Sequence, residues 1–163
     1  MSKYRESLWL PVLTLLAGLI FMLLPVPDWL EQAWPYWVAL VLAYWVLEGR
    51  FRIGLGHAFL VGLLVDVVSA SLLGQHALGL VILTYLITQF RSRIRFFPPW
   101  QQALSILILL LNDRIITLWI LLLVGERNFS IGFWIAPLIG ALLWPWVFLL
   151  IDRIRRAARK KST

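Results

Sequence analysis

The stretch Gly62-Leu63-Leu64-Val65-Asp66-Val67-Val68-Ser69-Ala70-Ser71-Leu72-Leu73-Gly74-Gln75-His76-Ala77-Leu78-Gly79 decides the fold. It sets a carboxylate, two hydroxyls, an imidazole and three glycines into a chain otherwise rich in lipid-soluble side chains. Polar side chains are costly in hydrocarbon, so they turn toward protein or a water-filled cavity. Apolar segments of helical length flank Ser69 to Gly74, and that turn is too short to be an independent segment. The stretch therefore predicts two membrane spans joined as a tight helical hairpin.

Working outward, four further apolar segments appear. A helix needs roughly 20 apolar residues to cross about 30 Å of hydrocarbon. The predicted spans are about 8–24, 34–47, 54–70, 74–90, 100–124 and 131–151. Pro25 and Pro27 end the first, because proline lacks the donor that continues a helix. Pro35 suits the start of the second. Pro98 and Pro99 separate the fourth from the fifth. Lys3 and Arg5 before an apolar run resemble a signal peptide, but no small-x-small cleavage site follows, so the run reads as a retained span.

Composition agrees. The chain has 163 residues, 61% of them hydrophobic, and a mean hydropathy of +0.86. Soluble domains sit near 45–50% apolar. The excess runs along the whole chain and predicts one all-α integral membrane domain over residues 1–163, with no soluble module. The absence of cysteine excludes disulfides, thiolate metal sites and cysteine nucleophiles.

The net charge of +7 matters by position more than by sum. Thirteen of the 15 basic residues fall at the N-terminus, around Arg50, around Arg91 and in the C-terminal tail. Those segments share one side of a six-span chain, so the positive-inside rule places both termini in the cytoplasm. Trp9, Trp45 and Trp100 near one set of helix ends, and Trp29, Trp34, Trp37 and Trp134 near the other, read as interfacial belts.

Three polar groupings stand inside the predicted spans: Asp66 in the third; Asn112, Asp113 and Arg114 in the fifth; Ser69, Ser71 and His76 at the turn. Asp66 lies 12 residues past Gly54 and Arg114 lies 14 past Trp100. At 1.5 Å per residue those depths are roughly 18 and 21 Å, which predicts an interhelical pair between Asp66 and Arg114. A proton or substrate path is the functional reading of these groups. Helix clamping or docking of a partner helix is the structural one, and it is preferred, since a pump would carry a longer series of carboxylates. His76 reads as a hydrogen-bonding residue, because zinc needs three or four converging ligands. No nucleophilic triad or phosphate loop stands out, and neither a cofactor nor a nucleic-acid partner is expected. Gly62, Gly74 and Gly79 suit close helix approach. The basic tail, with Arg153, Arg155, Arg156, Arg159, Lys160 and Lys161, reads as a topology signal and anionic-lipid contact. Docking of a cytoplasmic partner is its sharper reading.

Size, span count and the opening stretch resemble the MreD family. The resemblance rests on Gly62 to Asp66, Ser69, Leu73-Gly74 and Ala77-Leu78. Trp100-Gln101-Gln102-Ala103-Leu104 with the later Asp113, and Leu143-Trp144-Pro145-Trp146 before a basic tail, support it. Arg114 beside Asp113 is a departure from the family pattern. The resemblance implies a bacterial inner-membrane protein of lateral cell-wall elongation. It further implies work with the single-span protein MreC, with MreB filaments, and with RodA and its class B penicillin-binding protein. The fold implied is similar to the S-components of vitamin transporters. On this reading the chain is a non-enzymatic scaffold, and the small and polar residues at 62, 66, 69, 74 and 79 form a groove for a partner helix. The alternative is a small-molecule binder or transporter component, which predicts a polar cavity near Asp66, Ser69, His76 and Asp113.

Overall fold

The computed structural model describes residues 9–27, 30, 33–49, 53–125 and 132–160. Lys3, Arg5, Asp28, Trp29, Glu31, Arg50, Arg52, Arg127 and Lys161 lie outside the described residues. The described residues form six helices: α1 (Trp9–Met22), α2 (Trp37–Glu48), α3 (Leu55–Val68), α4 (Gln75–Ile94), α5 (Pro99–Val124) and α6 (Gly132–Lys160). Each expected span coincides in its main part with one of them.

The short α2 is the centre. Every residue from Val38 to Glu48 is buried, as suits a helix that is apolar on all faces. The helices α1, α4 and α6 pack around it, while α3 packs chiefly on α4, and α5 bridges α4 and α6. The exterior is also apolar. Leu60, Leu64 and Val67 on α3 are exposed, as are Leu138, Leu142 and Trp146 on α6. Two segments, Pro99–Val124 and Gly132–Ala158, are long and apolar enough to cross a membrane, and α1, α2 and α3 are shorter apolar helices. An apolar core inside an apolar shell is the pattern of a helical membrane protein, because a water-soluble fold would not expose so large an apolar surface.

Local chemistry fixes the helix ends. Pro99 opens α5 at a position whose N–H would lack a partner anyway. Pro35 lies outside α2, which begins two residues later with Tyr36 as its N-cap. At the other end of α2, Gly49 takes the left-handed φ of +58° and donates to Trp45 O. Arg91 of α4 donates from Nε to Leu47 O at 3.1 Å and from Nη2 to Glu48 O at 3.2 Å. The guanidinium thus covers carbonyls that a helix end leaves unpaired. A Cβ on Gly49 would lie 1.6 Å from its Cζ.

Two helices run past the spans expected for them. The α4 helix continues beyond Phe90 to Ile94, and α6 continues beyond Ile151 through most of the basic tail to Lys160. Hydropathy marks where lipid ends, whereas hydrogen bonding marks where a helix ends. Basic side chains favour the negative end of the helix dipole and so prolong it. One tryptophan also departs from expectation. Trp45 is 1% exposed and donates its Nε1–H to Thr14 Oγ1 at 2.8 Å, so it joins α1 to α2 in the core and is no belt residue.

Candidate functional site

The hairpin closes on itself through one carboxylate. At the end of α3, Ser69 N–H donates to Val65 O at 2.8 Å and Ser71 N–H to Asp66 O at 3.1 Å. Ala70, at φ +49°, takes the left-handed place that glycine usually holds in such a helix end. Gly74, at φ +97°, then caps α4. The first N–H groups of any helix lack intrahelical partners. Here Asp66 accepts from Gly74 N–H (2.8 Å), His76 N–H (2.8 Å) and Ala77 N–H (3.4 Å). A carboxylate at this end of a helix also meets the positive pole of its dipole. Ser71 Oγ–H and His76 Nδ1–H complete the set at 3.0 and 2.9 Å from Oδ1. The two backbones meet at Gly62, where a Cβ would lie 2.2 Å from Ala77 Cα.

A serine, a histidine and an aspartate therefore do meet, with Ser71 in the place where the sequence pointed to Ser69. They do not form a nucleophilic triad. Ser71 Oγ and Asp66 Oδ1 approach the same ring nitrogen, Nδ1, at 3.1 and 2.9 Å. A triad addresses one ring nitrogen to the nucleophile and the other to the carboxylate.

Beside the hairpin lies an open cavity of about 540 Å³. Met22 at the end of α1, the residues Leu23 to Val26 that follow it, and the segment Trp34 to Tyr36 supply most of its apolar lining. Ser69 and His76 of the hairpin, and Asp113, Arg114 and Thr117 of α5, give it polar walls. Asp113 is buried, and its carboxylate occupies space that only a glycine leaves open: a Cβ on Gly79 would lie 1.9 Å from Oδ1. The Arg114 guanidinium stands 4.8 Å from the ring centroid of Phe133, a cation–π distance. The Tyr36 ring contacts His76 edge-on at 5.4 Å between centroids.

The expected ion pair between Asp66 and Arg114 is not made. The Asp66 side chain is completely buried, and its oxygens are taken by the turn and by the start of α4. Equal depth is necessary for an interhelical pair, but the backbone of the next helix is nearer than α5. Gly62, Asp66 and Gly79 are likewise used inside the fold and do not line a groove on the surface. Of the expected polar residues, Ser69, His76, Asp113 and Arg114 share the cavity, while Gly62, Asp66 and Gly74 build the hairpin beside it.

Sequence reading missed Tyr36 and Thr117. Thr117 stands three residues from Arg114 and four from Asp113, and that shared helix face was a usable signal. Nothing marks Tyr36 among the aromatic residues, because its approach to His76 is a long-range contact.

The basic tail is partly consumed by the fold. Arg155 pairs with Glu48 of α2 and, at 2.5 Å, with Asp152. Arg156 pairs with Asp152 at 2.7 Å but remains largely exposed, and Arg153 is exposed. Arg159 and Lys160 lie in the helix, and their side chains, like Lys161, are outside the described residues.

The family model described as rod shape-determining protein MreD matches residues 4–154. The Rod shape-determining protein MreD of Haemophilus influenzae is 35% identical over 156 residues, which cover 93% of this chain and 94% of that protein. The chain belongs to the MreD family. No solved structure matches it. The MreD match spans the hairpin and the cavity but stops short of Arg155. Membership makes this a membrane protein with a role in cell shape.

Proposed function

We propose that the chain is a six-span inner-membrane scaffold of the cell-wall elongation machinery, with both termini in the cytoplasm and no catalysis of its own. The observation that carries this reading is the MreD match across nearly the whole length of an almost wholly helical, apolar chain. A protein with so little mass outside its helices meets partners within the bilayer, and through short loops and the tail. The partner of the bilayer portion is the transmembrane helix of MreC. MreB, RodA and a class B penicillin-binding protein complete the assembly, and the exposed arginines of the tail meet anionic lipid.

The interior use of Gly62, Asp66 and Gly79 moves the docking face outward. The α3 helix packs chiefly on α4 and leaves Leu60, Leu64 and Val67 exposed in one stripe. The MreC helix lies along that stripe. Photocrosslinkers at Leu60, Leu64 and Val67 should capture MreC in membranes, whereas the same probe at Leu142 or Trp146 of α6 should not. Capture from α6 alone would place the interface elsewhere; capture from neither face would count against docking in the bilayer.

A further inference from the structure

We propose that the cavity beside the hairpin is a binding site for a monoanionic oxyanion, a carboxylate or a phosphodiester, carried on a compact and partly apolar body. The proposal stands whether or not MreC docks on α3. Three observations carry it. The first is the cavity, whose volume of about 540 Å³ lies within the range of roughly 300–1,000 Å³ usual for small-molecule sites. Its lining combines apolar side chains with converging polar groups, and polar atoms predominate on its surface, which suits a charged ligand.

The second is Arg114. Among the described residues its guanidinium has no hydrogen bond or ion pair; it faces the ring of Phe133 and feels the charge of the adjacent Asp113. A cation placed well inside an apolar helix is costly unless something compensates it. Stacking on Phe133 leaves the edge donors of the guanidinium available, and that planar fork matches a carboxylate or phosphate. The third is Tyr36. The residue is 8% exposed and lines the same cavity, and among the described residues its hydroxyl is buried without a hydrogen-bond partner. A buried hydroxyl with nothing to bond is rare and calls for a partner.

Asp113 narrows the choice of ligand. Its carboxylate stands in the same wall and opposes a multiply charged anion. It favours a ligand that bears one negative charge and presents an N–H or O–H donor close by. In such a complex Arg114 and Tyr36 hold the oxyanion, and Asp113 accepts from the adjacent donor. His76 is held by Asp66 and Ser71 and sets the shape of the far wall.

The chain has no cysteine, so Ser69→Cys places its single thiol at the cavity. The experiment compares the rates at which a sulfonate-bearing and a trimethylammonium-bearing methanethiosulfonate modify that thiol in protein reconstituted in phosphatidylcholine nanodiscs. Relative to their rates with a free thiol in solution, the anionic reagent should be favoured by roughly tenfold, since the part-exposed Arg114 faces the cavity while Asp113 is buried. Arg114→Gln should abolish or reverse that preference, because it leaves Asp113 as the charge in the wall, and Arg114→Lys should keep it. Millimolar N-acetylalanine should slow the modification severalfold if a soluble carboxylate is the ligand. Replacing part of the phosphatidylcholine with phosphatidylglycerol should slow it if the ligand is a lipid headgroup. Should Arg114→Gln not be monodisperse, Tyr36→Phe serves in its place, and should weaken protection severalfold while leaving the charge preference. Absence of modification, a preference for the cationic reagent with Arg114 intact, or protection by neither ligand would overturn the proposal.

Discussion

Asp66 accepts five hydrogen bonds from a turn and a helix start that begin only a few residues after it. An asparagine there would be nearly the same size but could accept through one atom only. Its amide nitrogen would face N–H groups that also need an acceptor. Each buried donor left without a partner costs about 1–3 kcal/mol. Asp66→Asn should therefore lower the unfolding temperature in detergent, read from tryptophan fluorescence, whereas Ser69→Ala should leave it nearly unchanged. Equal unfolding temperatures for the two variants would mean that the carboxylate is not what holds the turn. The sequence made Asp66 conspicuous as a charge among apolar neighbours. It could not say which way the charge is answered, because a backbone N–H leaves no mark in the residue letters. Arg114 was the visible partner and the wrong one.

At the scale of elements, the α3–α4 contact depends on how closely two backbones can approach. Gly62 has Ala77 Cα where its own Cβ would be, and backbone cannot step aside. Gly79 has the Asp113 carboxylate there, and that side chain can turn. Overpacking typically costs about 1–3 kcal/mol and more where nothing yields. Gly62→Ala should therefore lower the unfolding temperature clearly more than Gly79→Ala, and chromatography of the two variants in mild detergent should show the former less monodisperse. The reverse ranking would mean that the helices can separate at Gly62. The six helices were legible as apolar runs cut by Pro25, Pro98 and Pro99, and the hairpin as a turn too short to stand alone. Burial was less legible. The α2 segment, with Trp45, differs little in composition from lipid-facing runs, so its central place comes from packing alone.

At the scale of the whole molecule, the charged side chains buried among the described residues gather in two main places. One is the cavity beside the hairpin; the other is the cluster of Glu48, Asp152, Arg155 and Arg156 that joins α2 to α6. The second cluster makes the tail two things at once: an anchor at Arg155 and a free surface at Arg153. Removing one partner of a buried ion pair strands the other, at a cost of about 3–5 kcal/mol. Arg155→Ala should thus destabilise the fold measurably. Arg153→Ala should leave unfolding unchanged and weaken only adsorption to anionic vesicles. If both variants unfold alike, the pair with Glu48 is not an anchor. Charge counting alone treats these arginines as equivalent, since their difference arises only when α6 continues as a helix and carries Arg155 over Glu48.

The capping of α4 by Asp66 bears on how this chain can be made. Each of the five hydrogen bonds to that carboxylate comes from a residue no more than 11 positions downstream. A growing polypeptide therefore carries the charge and its answer out of the ribosome almost together. The charge need not wait for α5 or α6 before it can leave water. The pair α3 and α4 can enter the bilayer as one preassembled hairpin with its only carboxylate already covered, and the later helices then close around a finished piece.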